Sequence, residues 1–101
     1  MGLYHSEMLA VSLAGHDKGK IYVVLERQEN TCSLVNGETK LLGRPKRKNQ
    51  KHIQLIRNIP ANLLADMDKI RDDADVRRIL KAYKNLKSKE VHACQKQMSL
   101  R

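Results

Sequence analysis

A chain of 101 residues, 41% of them hydrophobic and 31% charged, carries apolar material for one compact domain and too little for two independent cores. Its 20 Lys and Arg against 11 Asp and Glu leave a formal charge of +9, which points to a polyanionic partner: RNA, DNA or anionic lipid. With three tyrosines and no Trp or Phe there is little material for a base-stacking platform, so any nucleic-acid contact must lean on charge and shape.

Cys32 and Cys94 lie far apart and neither belongs to a CxxC pair, which argues against a disulfide framework or a zinc site and for a reduced, cytoplasmic protein. The longest apolar run, Ile21 to Leu25, is too short to span a bilayer. Residues 8–14 are preceded by Glu7 and the first lysine is Lys18, so the positively charged leader of a secretory signal is missing. His5, His16, His52 and His92 are dispersed, and neither cysteine has a neighbour that would activate it. No catalytic or metal-binding constellation is expected, nor a cofactor or small-molecule substrate.

In chain order, residues 1–7 lack periodicity and read as a flexible leader. Met8 to Leu13 alternates enough for a half-buried strand with Ser12 facing water. Gly15-His16-Asp17-Lys18-Gly19-Lys20 follows, a loop whose glycines admit positive φ and whose Lys18 and Lys20 stand beside exposed amides, a setting that suits phosphate oxygens. Lys20 to Arg27, rich in β-branched residues, predicts a second strand, and Thr31 to Val35 a third after the Gln28-Glu29-Asn30 turn. Asn36-Gly37 suits a type I′ turn pairing Thr31–Val35 with a fourth strand over Glu38–Leu42. In Arg44 to Lys51, five of eight residues are cationic and Pro45 disfavours a central strand, so an exposed basic loop is expected before a fifth strand at His52 to Ile56. Five short strands so closely spaced predict a small closed or nearly closed barrel over residues 8–57, with its loops gathered at the rims.

Composition changes at Asn58-Ile59-Pro60. Leu63, Leu64, Met67 and Ile70 form a one-sided stripe that predicts a helix over 61–70. Asp72 or Asp73 then caps a second helix, with Val76, Ile79, Leu80 and Tyr83 on one face and Arg77, Arg78, Lys81 and Lys84 on the other. The cationic face reads as solvated, and the whole of 58–87 as a helical appendage. Residues 88–101 show no pattern and predict a disordered or fraying tail.

The run Val11 to Lys20, followed by Ile21-Tyr22-Val23-Val24, and the later Leu34-Val35-Asn36-Gly37 give the chain a resemblance to the KOW-motif family of RNA-binding proteins. It looks most like the bacterial KOW proteins related to a large-subunit ribosomal protein of archaea and eukaryotes. The likeness covers residues 8–56, and Tyr22 stands where many KOW motifs carry glycine, which sets the chain apart from the transcription-elongation branch. The resemblance implies an SH3-like five-stranded barrel that binds ribosomal RNA. The residues expected to make that contact are Gly15, His16, Lys18, Gly19 and Lys20 of the first loop and Arg44, Lys46, Arg47, Lys48, Lys51 and His52 of the second. On this reading the chain is monomeric, is not an enzyme and works in translation, and replacing Lys46, Arg47 and Lys48 by Ala weakens RNA binding without unfolding the domain. The competing reading is a protein-interaction barrel whose helical tail docks a partner, its positive charge merely aiding solubility.

Overall fold

The computed structural model describes the backbone of residues 3–99 and the side chains of residues 3–87. Five strands, β1 (Leu9–Ser12), β2 (Ile21–Arg27), β3 (Thr31–Val35), β4 (Lys46–Asn49) and β5 (Ile53–Ile56), are followed by two helices, α1 (Ala61–Met67) and α2 (Asp73–Ser99). All strand pairs are antiparallel, in the order β4-β3-β2-β1-β5.

Register follows from the alternation in each strand. Leu9 opposes Val23, and Val23 opposes Val35, so the three share one face of the sheet. The helices cover that face: Leu63, Met67, Ile70, Val76, Ile79, Leu80 and Tyr83 complete a cluster with those three residues, Leu42 and Ile59. Ala10, Tyr22, Val24, Cys32, Leu34 and Ile53 form a second cluster on the opposite face, and among the described residues no helical side chain joins it. Leu25 is the extra residue of a bulge between Val24 and Glu26, a feature that bends a strand and increases its twist.

The sheet is open, where the sequence predicts a closed or nearly closed barrel. β4 and β5 are its two edges and do not pair, although a single 3-10 turn, Gln50–His52, is all that joins them. The turn spends its hydrogen bonds elsewhere. Gln50 N donates to Asn30 O at 2.8 Å and its side chain to Gln28 O at 2.7 Å, while His52 O accepts from Leu13 N at 2.8 Å.

The fourth strand is also displaced. Asn36 Oδ1 accepts from the amides of Glu38, Thr39 and Lys40 at 2.9, 3.0 and 2.9 Å, so the chain wraps around that side chain. This Asx-type loop replaces the expected I′ hairpin and leaves 38–42 without strand pairing to β3. β4 comes instead from the stretch expected to be an exposed loop, with Pro45 immediately before it at a sheet edge, where a missing N–H costs nothing.

The N-terminal segment is tied down where a flexible leader is expected. Tyr4 and Ile70 exchange backbone hydrogen bonds of 2.7 and 2.9 Å, Ser6 N donates to Met67 O at 2.9 Å, and the buried Ser6 hydroxyl donates to Val24 O at 2.6 Å. That use of Ile70 stops α1 at Met67, short of the predicted residue 70. Asp72 caps α2, accepting from Asp75 N at 3.0 Å, and the Asp75 carboxylate in turn accepts from Arg71 N at 2.8 Å. That backbone hydrogen bond, with Arg78 and Arg71 beside it, holds the Asp75 carboxyl below the usual carboxylate range despite its burial. α2 continues to Ser99, past Lys87 where the sequence pattern fades; Leu100 and Arg101 lie outside the described residues. Because its apolar stripe is at most 7% exposed, the second helix is part of the core and not an appendage to it.

Gly37 seats the 36–40 loop on α2. It has φ +77°, and a Cβ there would lie 2.6 Å from Asp73 O and 2.8 Å from Arg77 Cγ. Gly37→Val is therefore expected to cost about 3 kcal/mol or more, from left-handed strain plus a backbone clash. Gly43→Ala, at a position with open space around it, should stay within about 0.5 kcal/mol of wild type. Urea unfolding of both variants checks this, and equal stabilities would refute the close approach.

Candidate nucleic-acid interface

β1 ends in Ser12, and the chain then loops through Ala14–Gly19 before β2 begins. Gly15 and Gly19 take φ of +88° and +87°, which lets the loop fold back on its own base. The amides of Lys18, Gly19 and Lys20 donate to Gly15 O, Ser12 O and Asp17 O at 3.2, 2.8 and 2.9 Å. These three N–H groups point into the loop, contrary to the expectation that they stand exposed for phosphate. What the loop offers outward is the side chains of His16, Lys18 and Lys20.

Asp17 is the centre of the site, and sequence reasoning passed over it. Its carboxylate accepts from Ser12 Oγ at 2.9 Å, Tyr22 OH at 2.8 Å and Lys48 Nζ at 2.9 Å, with Lys46 Nζ at 3.5 Å. Lys48 Nζ also donates to Ser12 Oγ at 2.8 Å and Ala14 O at 3.2 Å. Cross-strand geometry explains the convergence. Lys48 is paired with Cys32 and Lys46 with Leu34, so both lysines extend from the face of the second core cluster, and Asp17 closes the end of that cluster. Ser12, expected to face water, is 1% exposed for the same reason: it shares a face with Ala10.

The electrostatics follow from the packing. Burial works against the Asp17 charge, but the hydrogen bonds from Lys48, Tyr22 and Ser12 and the nearby Lys46 charge outweigh it and hold the carboxyl well below the usual carboxylate range. Burial, reinforced by the hydrogen bond to Asp17 and its negative charge, pushes the Tyr22 hydroxyl up to about 12.

The two basic segments of the sequence thus meet. Lys48 reaches Asp17 and Ala14, and His52 bonds Leu13 at the foot of the loop. The cations are of two kinds. The Lys48 side chain is 12% exposed and committed to Asp17, and that of Lys46 is 35% exposed beside it. Lys48 is therefore not the exposed point charge that the sequence suggests. Lys18, Lys20, Arg44, Arg47, Lys51 and His52 are exposed, Arg47 in contact with Gln28 Oε1 and Arg44 in the turn that leads into β4. The signal that could have revealed Asp17 is a lone carboxylate in a Gly/Lys loop between strands that carry Ser12 and Tyr22.

Among the described residues no group of His, Cys, Asp and Glu is arranged to hold a metal ion, and no helix is long and apolar enough to cross a membrane. The chain matches no protein-family model and no curated protein.

Lys48→Ala is expected to destabilise the fold by about 2–3 kcal/mol, the range for losing charged hydrogen bonds inside a protein. The Lys46/Arg47/Lys48 triple alanine variant therefore confounds binding with folding; a Lys48→Ala unfolding midpoint equal to wild type would restore it as a clean probe. A depressed Asp17 carboxyl contributes stability that is complete above the ordinary carboxylate range, near pH 4, and is lost as pH falls below it. A raised Tyr22 hydroxyl contributes stability that is complete below pH 10 and lost as pH climbs towards about 12. Urea titrations across pH should show both losses, and Asp17→Asn should flatten the acid limb; an unchanged acid limb in that variant would remove Asp17 from its cause.

Proposed function

We propose that this protein binds RNA through the rim formed by the Gly15–Lys20 loop and the Lys46–His52 segment, as a member of the KOW family acting in the cytoplasm on ribosomal RNA or a ribosomal subunit. The observation that carries the reading is the Lys48–Asp17 contact of 2.9 Å, which holds two basic segments of a +9 chain against each other. Lys18, Arg47 and Lys51 then stand exposed on these joined segments, available for phosphate oxygens. Gly15 and Gly19 give the loop its fold, and His16 and His52 supply hydrogen-bonding groups beside the cations.

An SH3-like barrel is the finer fold assignment that goes with this function. Its support is an inner cluster, Ala10 to Ile53, that no helical side chain joins among the described residues, together with edge strands separated by one 3-10 turn. In this reading the protein binds and orients RNA and makes or breaks no bonds. The rival reading, in which the helical tail docks a partner, loses the surface it relied on, because Val76, Ile79, Leu80 and Tyr83 are buried against the sheet.

A variant that spares the Asp17 cluster tests the rim. Lys18→Ala/Arg47→Ala/Lys51→Ala is expected to keep the wild-type unfolding midpoint and to lower the slope of log affinity against log salt for single-stranded RNA by about 2, from roughly 0.7 per phosphate contact. Co-sedimentation of the wild type with ribosomal subunits should be abolished by RNase and by raised salt. Wild-type slope and affinity in the triple variant would refute the rim, and salt-resistant, RNase-insensitive association would reassign the protein to a protein partner.

A further inference from the structure

A second basic surface lies beyond the rim, where α2 runs past the start of β2. The groove between them has a volume of about 620 Å³. Lys20 stands on its sheet side, Arg77, Lys81 and Lys84 on its helix side, and Ile21 and Leu80 supply apolar lining. The helical cations fall at i, i+4 and i+7, so they form one stripe about 10 Å long at 1.5 Å per residue.

The charges of this groove are unequally committed. Arg78 is spent on Asp75, at 2.5 Å, and Arg77 uses one nitrogen on Gly37 O at 2.6 Å. The side chains of Lys20, Lys81 and Lys84 have no hydrogen-bond or ion-pair partner among the described residues. Glu38 is the one carboxylate in the lining, against five cations. Gly37 fixes this arrangement, because its backbone contact with Asp73 and Arg77 seats the 36–40 loop on the first turn of α2.

We propose that this groove holds a single-stranded segment of the bound RNA, with backbone phosphates between Lys20 and the Lys81/Lys84 stripe and a sugar or base edge over Ile21 and Leu80. The inference rests on the RNA-binding reading and extends it to the helix face. Three properties select the occupant. The lining is strongly cationic, which suits a polyanion; the floor is apolar, which suits a nucleoside as well as a phosphate; and the volume is that of a small-ligand site, so a few nucleotides enter it and a duplex does not. Lys20 belongs both to the Gly15–Lys20 loop and to the groove, so a strand leaving the rim reaches the groove without a gap in positive charge. Recognition of this kind is largely indifferent to sequence, because it is made to backbone and to the faces of bases.

Fluorescence anisotropy with labelled single-stranded and duplex RNA, using the full chain at a series of salt concentrations, tests the groove separately from the rim. Lys81→Ala/Lys84→Ala, both exposed helix positions, is expected to unfold at the wild-type midpoint and to lower the single-strand salt slope by about 1.4, from roughly 0.7 per contact. Between roughly 50 and 200 mM salt the wild type then loses about sevenfold more affinity than the variant. Glu38→Lys, which adds a cation to the lining, should raise the slope by about 0.7. Duplex binding should change little in either variant. Wild-type slopes in both variants, with the slope lowered in the rim variant, would overturn the groove and leave the rim standing. No RNA binding by the wild type would remove both. Binding of a labelled oligoglutamate peptide to wild type but not to Lys81→Ala/Lys84→Ala, with equal single-strand RNA slopes in the two proteins, would assign the groove to acidic polypeptide and overturn the RNA proposal.

Discussion

A carboxylate shut away at the end of a small β core needs partners, and much of this molecule is arranged to supply them. Asp17 is 13% exposed at its side chain and Lys48 12%, and either charge alone would be costly at that depth. Together with Ser12 and Tyr22 they satisfy one another, and no buried side-chain polar atom among the described residues is left without a partner. The arrangement pins the Gly15–Lys20 loop to β4. It also decides which lysines serve the fold and which remain for solvent or ligand, a division that net charge cannot reveal.

The two faces of the sheet are completed by different means. One is covered by α1 and α2, whose apolar residues join Leu9, Val23 and Val35; each such side chain, fully buried, contributes on the order of 2 kcal/mol. The other, around Tyr22 and Leu34, takes in no helical side chain among the described residues and is closed at one end by the Asp17 cluster. β2 carries a bulge at Leu25, a feature that bends a strand, and a 3-10 turn connects the two edge strands, which do not pair. Helix position is in turn coupled to the loop at Gly37, through a backbone approach that only a residue without Cβ allows and a hydrogen bond from Arg77 to Gly37 O.

These couplings give the proposed RNA contacts a common mechanical basis. The rim depends on the Asp17 cluster, the groove depends on the seating of α2 against the 36–40 loop, and Lys20 stands where the two surfaces meet. A polyanion following this path meets cations whose backbone is already fixed by the fold, so less backbone freedom is lost on binding than with an unstructured basic tail. Sequence selectivity is not a natural product of such a surface. Affinity that responds steeply to salt is.

Legible in the chain alone were the positive charge, four of the five strands to within a few residues, the break at Pro60, a helix cap at Asp72 or Asp73 and the apolar stripe of α2. Each of these is recorded locally, in a spacing of 2 or 3.6 or in a residue with a restricted backbone. It did not determine β4, because the inward positions of Lys46–Asn49 are lysines and an alternation of cations looks like a solvated loop. Those lysines turn inward because the Asp17 carboxylate, 31 residues before Lys48, meets them there. Nor could local pattern tell an I′ hairpin at Asn36-Gly37 from a loop wound around the Asn36 side chain, since the same two residues favour both and the contact with Asp73 and Arg77 belongs to the folded molecule. Both points needed the folded chain: period records which side of an element is buried, whereas the pairing of distant charges and the close approach of Gly37 to α2 exist only once the chain has brought those groups within a few ångströms.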